Sequence, residues 1–344
     1  EEIWPGLGAG DFDLVRISST QAAFPTPMSI TWDQPQERHV FFNAAPTQSE
    51  QVWQSGDILA TDLIAGRLIF VAAGTFIQGS PAEEPCRDLF APWAETQFNH
   101  TLTRNIAVMA TEVNRQMWLD LSLAQPTLPA DPTSTIYSPE LDYPAQNTTW
   151  FEAMLFANLL SVQNGLARCY WTDESFTTPV DSSNYQNGPF YCDWDANGYR
   201  LLTEGEWEYC CRAGTTTPFW RNEPNFDGAD CESCEAGLLA NLEMVAYFCA
   251  NDNGDLAPVA SRPANAWGFF DMHGNALEWC WDHYGNYPSG DVTDYAGPAS
   301  GSERVFRGGG FFSKPHALRS ARRDGAGANY HYFNLGFRLA RTLP

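Results

Sequence analysis

Lysine is almost missing from this sequence: Lys314 is its single occurrence, and every other basic residue is arginine. A lysine-poor surface is compatible with tight packing against neighbouring subunits, and equally with a bias in base composition. Cations are scarce altogether, with 19 Lys and Arg against 42 Asp and Glu, a net charge of -23 and a pI near 4.4. Such a chain is repelled by phosphate backbones and anionic lipid surfaces, so a nucleic-acid partner is not expected. No apolar run approaches the roughly 18 to 20 residues of a membrane span. No internal repeat or low-complexity tract is present. The motif "CESC" at 231–234 has no second CxxC and no histidine pair at ligand spacing, which argues against a zinc knuckle. No cysteine follows Cys280. The chain opens "EEIWPG", without an initiator Met, and is expected to begin at a processed, mature N-terminus after signal removal.

What is abundant points to a loop-rich fold. The 13 Trp, 22 Phe, 13 Tyr, 27 Gly and 23 Pro suggest irregular backbone pinned by aromatic anchors, and 344 residues suffice for one large domain or two smaller ones. Nine cysteines fit an oxidising compartment, so the chain is expected to be secreted, periplasmic or at the cell surface. Cys169 and Cys192 flank a loop-rich stretch and form one candidate disulfide; Cys231 and Cys234 form another, closing a small loop. The odd count leaves one thiol unpaired or paired between chains. "NHT" at Asn99 and "NTT" at Asn147 match glycosylation acceptors.

Two regions are expected. Residues 1–66 read as a small β-rich extension, from the short runs "DLVRISS", "SITWDQ" and "RHVFFNA" cut by Pro and Gly. Residues 67–344 read as the main domain. Three helix starts are legible there: "TEVNRQMWLDL" from Thr111, "TTWFEAMLFANLLSVQNG" with Thr149 and Glu152 at capping-box spacing, and "TEGEWEYCCRAG" with Thr203 and Glu206 at the same spacing.

Seven segments in order, "VAAGTFIQGSPAEEP", "MATEVNRQMW", "YPAQNTTWFEAMLFAN", "NGYRLLTEGEWEYCCRAGTTTPF", "NAWGFFDMHGNALEWCWDHYG", "GSERVFRGGGFF" and "NLGFRLAR", resemble the formylglycine-generating enzyme (sulfatase-modifying factor) family. They run from about residue 67 to 341. The resemblance implies an α+β, C-type-lectin-like fold, loop-rich with short helices, beside the small N-terminal β unit. The family's copper-dependent oxidases use two cysteines after the Arg-Gly-Gly stretch; those positions fall on Ser313 and Leu318. Neither side chain supplies a thiolate to hold copper, so copper is not expected and the fold arrives without its oxidase chemistry. A second branch, the iron-dependent sulfoxide synthases, carries a histidine triad on a large helical domain. Here the extension holds only His39, and His100, His273, His283, His316 and His331 show no HxxxH spacing.

Two stretches resemble metal loops. In "DMHGNALE", Asp271 and Glu278 offer carboxylates and the carbonyls of Gly274 and Ala276 can turn inward, a hard-oxygen set suited to structural calcium. Family members bind calcium at matching positions. The alternative is that Asp271 caps the loop and Glu278 pairs with an arginine. "DWDANGYRLLTE" places Asp193, Asp195, Asn197, Gly198 and Glu204 in the EF-hand pattern, but the flanks read as loop and strand rather than as two helices. "NDNGD", 251–255, reads as an acidic turn.

From Arg304 onward the chain holds 8 of its 19 basic residues. These arginines read either as an anion pocket or as internal braces to acidic loops; the acidity of the remainder favours braces. Phe312, Ser313, Lys314, His316, Asn329, Tyr330, His331 and Tyr332 fall between the family segments, in what should be exposed loops. Rigid aromatics mixed with adaptable polar groups are the composition of a binding surface. The expected role is a non-catalytic scaffold presenting this surface to a protein partner or to neighbouring subunits, with the N-terminal unit aiding attachment or self-assembly. A variable ligand-binding protein of a diversity-generating retroelement, which has the same lectin-type fold, and an oxidase with an altered metal site are the alternatives.

Overall fold

The computed structural model describes residues 53–87, 95–224 and 226–343. The three β-type runs expected between residues 13 and 44 lie outside them. A compact unit runs Trp53–Pro344, so its start falls earlier than the expected residue 67. The strand Ile58–Asp62 already belongs to it, paired antiparallel with Gly66–Val71.

Helix starts are set where a side chain meets the first free N–H groups. The helix expected from Thr111 opens later: α1 is Arg115–Ala124, and Asn114 accepts from the Met117 N–H at 2.9 Å. The residues before it are held extended, because Val113 donates to Phe337 O at 2.9 Å and accepts from the Ala145 N–H at 2.8 Å. Tertiary pairing there overrides the local helix signal. The other two starts agree with expectation. In α2, Trp150–Gln163, Thr149 accepts from the Glu152 N–H at 3.1 Å while Glu152 accepts from the Thr149 N–H at 2.8 Å. In α3, Glu204–Arg212, Thr203 and Glu206 make the same reciprocal pair at 3.1 and 2.9 Å. A short α4, Ala240–Val245, follows.

Helix α2 is apolar on every side, with Trp150 and the whole run Ala153–Ser161 buried, and such a helix has to be central. It sits in the largest core with Trp118, Trp279, Trp281 and Phe337. A five-stranded antiparallel sheet is ordered Ile58–Asp62, Gly66–Val71, Ile106–Met109, Leu339–Thr342, Tyr199–Leu201. A four-stranded sheet, ordered Asp324–Ala326, Arg304–Arg307, Leu277–His283, Leu335–Gly336, carries the sequences of interest. The architecture is mixed α+β, mostly short strands with few short helices. Among the described residues no helix is long and apolar enough to cross a membrane.

The disulfides correct both expected pairings. Cys86 bonds Cys231, and Cys234 bonds Cys249. Cys231 and Cys234 therefore do not bond each other, and Cys169 and Cys192 are buried free thiols. Cys86 and Cys249 had no local motif to mark them; the backbone brings them in from 145 and 15 residues away.

Candidate functional site

The stretch Arg304–Arg323 leaves the four-stranded sheet through Gly308–Gly310 and closes on a helical turn, Pro315–Leu318. A Cβ at Gly310 would lie 2.0 Å from the Asn334 amide nitrogen, so any other residue there has to displace that buried side chain. The arginines around this turn are internal braces. Arg307 meets Glu208 and donates to the carbonyls of Ser320 and Arg322. Arg319 bridges Glu84 at 2.6 Å and Glu95 at 2.7 Å. Arg323 grips Glu204 through Nε and Nη2, at 2.7 and 2.6 Å. Arg338 grips Glu278 in the same way, at 2.7 and 2.6 Å. Each of these guanidinium groups is buried and paired, so none is free to form an anion pocket.

The two positions where the resemblance expects thiols are occupied by side chains with other work. Ser313 Oγ accepts from the Gly310 N–H at 2.9 Å and its N–H donates to Gly310 O at 2.8 Å, which closes a turn. Leu318 is fully buried in an apolar cluster with Phe219, Phe226, Leu242 and Phe248. Its carbonyl accepts from His273 Nδ1 at 2.7 Å, while His273 Nε2 accepts from the Trp220 N–H at 3.0 Å. Burial pushes the His273 pKa down to about 4, so the ring is a neutral structural link at physiological pH.

The calcium set does not come together. Glu278 is buried, with Oε2 accepting from both Arg338 Nε and Trp207 Nε1 and Oε1 accepting from Arg338 Nη2. The guanidinium occupies the carboxylate that the ion would need, so Asp271, Gly274, Ala276 and Glu278 do not fit calcium. Asp271 instead accepts from the Ala260 N–H at 2.7 Å and faces Glu112. The EF-hand pattern dissolves as well: Glu204 is the Arg323 partner, Asn197 accepts from the Ala167 N–H, and Tyr199–Leu201 is a strand.

Glu112 was missed by sequence reasoning, since it reads as one more helix-start carboxylate. It is fully buried, takes one hydrogen bond from Asn275 Nδ2 at 3.1 Å, and its Oε2 receives none. Burial, then the Asp271 charge, push the Glu112 carboxyl well above the ordinary range; burial likewise raises Asp271. One proton shared by the pair satisfies the empty oxygen. The folded state thus holds a proton that the unfolded chain has already released. Stability is present in full below the unfolded carboxyl pKa and is lost as pH rises through the folded one, with a slope of up to about 1.4 kcal/mol per pH unit. Glu112→Gln keeps a hydrogen-bond donor and removes the titration. Urea midpoints measured from pH 4 to 9 are expected to fall with pH in the wild type and to fall less in this variant.

The candidate surface residues split into two groups. Phe312, Tyr330 and Tyr332 are 42%, 42% and 37% exposed and form a connected platform. Phe312 stacks on Phe333 at 5.1 Å, Tyr332 meets Phe333 at 4.3 Å, and Tyr330 stacks on Tyr332 at 5.9 Å. Tyr137 stacks beneath on Phe333 at 4.4 Å, a residue that nothing in its Pro- and Ser-rich loop marks out. Beside the platform, exposed His331 meets Asn147 Oδ1 through Nδ1 at 2.9 Å, and Asn329 is exposed. Lys314 and His316 form a second corner, both on the Glu232 carboxylate at 2.6 and 3.1 Å. The Asn147 amide donates to Pro132 O, so this acceptor motif is engaged in the fold; Asn99 is exposed and donates to Asp291.

A family model described as the sulfatase-modifying factor enzyme 1-like domain matches residues 60–343. The chain belongs to this family. Among sulfatase-modifying factor relatives, it is 33% identical to the bovine formylglycine-generating enzyme over 172 residues, which is 47% of this chain and 43% of that one. It is 27% identical over 209 residues to the chaperone protein LppX of Paenibacillus barcinonensis, covering 59% of this chain and 68% of LppX. The chain therefore spans less than half the length of the bovine enzyme. Among solved structures it resembles Treponema denticola variable protein 1, with a TM-score of 0.65, 25% identity and coverage of 82% and 98%.

For a member of this family the remaining thiols are chemically quiet. Among the described residues Cys169, Cys192, Cys210, Cys211 and Cys280 are free and all are buried. Burial raises every one of their pKa values, Cys169 and Cys211 to about 12. A thiol so far above physiological pH is neither a nucleophile nor a ready metal ligand.

Proposed function

We propose that the chain is a non-catalytic scaffold or binding protein, secreted or surface-exposed, that presents its C-terminal loop surface to a protein partner or to neighbouring copies. Leu318 carries this reading. Where the family's oxidases need a thiolate, a leucine fills the space and is sealed by phenylalanines. The exposed aromatic platform of Phe312, Tyr330 and Tyr332 supplies area for recognition, and aromatic side chains give that area at little conformational cost. Two disulfides support an oxidising compartment.

The likeness to Treponema denticola variable protein 1 favours a second reading, a ligand-binding protein whose loops 311–333 differ between sibling copies. Aligning those residues among copies in one genome tests it.

Copper titration with oxygen uptake on a thiol-containing peptide tests the main reading. No stoichiometric copper and no uptake are expected; both together would restore the oxidase. Sedimentation of wild type and of Phe312→Ser/Tyr332→Ser then separates a self-assembling subunit, whose association the variant loses, from a protein that binds a different partner.

A further inference from the structure

A cavity of about 290 Å³ opens next to the aromatic platform, lined in part by Tyr143, Tyr247, Asp255, Leu256, Ser261 and Arg262. The two features share a wall. Tyr247 and Leu256 belong to the same apolar cluster as Phe311, against which Tyr137, Tyr143 and Phe333 pack. The cavity is small beside typical small-molecule sites of roughly 300–1,000 Å³. It has room for one long side chain rather than for a whole cofactor.

Its charges are unspent. Among the described residues the Asp255 carboxylate has no hydrogen bond and no ion pair, whereas Glu204, Glu208 and Glu278 elsewhere in the fold are each held by an arginine. Arg262 also has no carboxylate partner, and its guanidinium lies 5.8 Å from the Tyr247 ring centre, a cation already resting on an aromatic face. The surroundings lean negative. Burial first, then Asp255, Asp142 and Glu140, raise the Tyr143 hydroxyl pKa. At Tyr247 burial leads the upward shift, Asp255 and Asp252 add to it, and Arg262 opposes it. The lining itself carries one carboxylate, Asp255, and one guanidinium, Arg262, while Asp142, Glu140 and Asp252 act on the two tyrosine rings from outside the lining. The molecule as a whole has the same sign, with a net charge of -23, and seven of its arginines are buried in internal contacts.

We infer that this cavity receives the cationic end of a lysine or arginine side chain from a basic protein partner, with its charge on Asp255 and its stem against the tyrosine rings. The inference rests on the proposed binding role of the neighbouring platform and adds the partner's charge to it. Aromatic walls and a carboxylate together favour a cation over a neutral chain of equal length. An acidic field also speeds the approach of a basic partner, in a salt-dependent way.

The test uses the full chain with labelled tyrosine rings, titrated at low salt with Nα-acetyl-arginine amide, Nα-acetyl-lysine amide, Nα-acetyl-norleucine amide and Nα-acetyl-glutamate amide. Saturable shifts of the Tyr143 and Tyr247 rings are expected with the two cationic probes, and none with the other two. Asp255→Asn, checked for an unchanged near-ultraviolet spectrum, is expected to weaken the cationic probes about tenfold or more, and added salt to weaken them further. Unchanged affinity in Asp255→Asn, no saturable response to the cations, or a glutamate response that Arg262→Gln abolishes would each overturn the inference. Phe312→Ser/Tyr332→Ser leaves the cavity intact and should keep probe binding. Loss of the platform's role and loss of the cavity's role are therefore read separately.

Discussion

Arg338→Met is expected to lower the free energy of unfolding by about 3–5 kcal/mol, read as a shift of the urea midpoint at constant slope. Arg338 is fully buried, and its Nη1 and Nη2 also donate to Ala110 O and Phe270 O. Removing it strands the Glu278 carboxylate in a site it shares with Glu112 and Asp271. Three buried acids then face no cation, and methionine fills the volume without relieving any of them. The pH dependence gives the mechanism away. Arg338 opposes the upward pKa shifts of Glu112 and Asp271, so without its guanidinium both are pushed further up, and the variant should lose further stability as pH rises and recover part of it in mild acid. The double variant Arg338→Met/Glu278→Met removes charge and counter-charge together and is expected to be less damaged than Arg338→Met alone, because the desolvation cost of the pair disappears with it. If the two variants are equally unstable, packing rather than charge is what Arg338 contributes.

The same residues show where a sequence is readable. The capping boxes at Thr149 and Thr203 were legible because both partners lie three residues apart and the geometry is local. The braces were legible only as a class: a basic C-terminal segment in an acidic chain must pair inward, but nothing local says that Arg338 takes Glu278 or that Arg319 takes Glu84 and Glu95. The calcium expectation at Asp271 and Glu278 failed for this reason, since its competitor lies sixty residues away in sequence and beside it in the fold. Ser313 and Leu318 are located by counting from the Arg-Gly-Gly, and it is the resemblance that makes them the family's thiol positions. The Tyr137 stack and the partnerless Asp255 were not readable; long-range packing creates both. Cysteine spacing misled outright, because proximity along the chain, as in "CESC", carries less weight than which loops the sheet edges bring together.

Loss of the Cys86–Cys231 bond is the other large expected effect. Cys86→Ser/Cys231→Ser should cost about 2–5 kcal/mol, and more than Cys234→Ser/Cys249→Ser. The first bond closes a loop of 145 residues and the second one of 15, so the first removes more freedom from the unfolded chain. Both bonds also act locally. Cys231 sits in the short helical turn Asp230–Glu232, where its carbonyl accepts from His316 Nδ1 at 3.0 Å; Cys249 donates to Ser313 O at 3.2 Å. The segment between them is thereby fastened to the loop that precedes Leu318. The Lys314–Glu232 ion pair cannot hold it alone, because both side chains are about half exposed or more and such pairs contribute roughly 0–1 kcal/mol. Limited proteolysis should therefore cut within 230–249 in either variant before the rest of the chain opens, while the wild type resists. If the shorter bond proves the costlier to remove, restraint of the unfolded chain is not its main contribution, and the strength of both bonds lies in what they hold against Ser313 and His316.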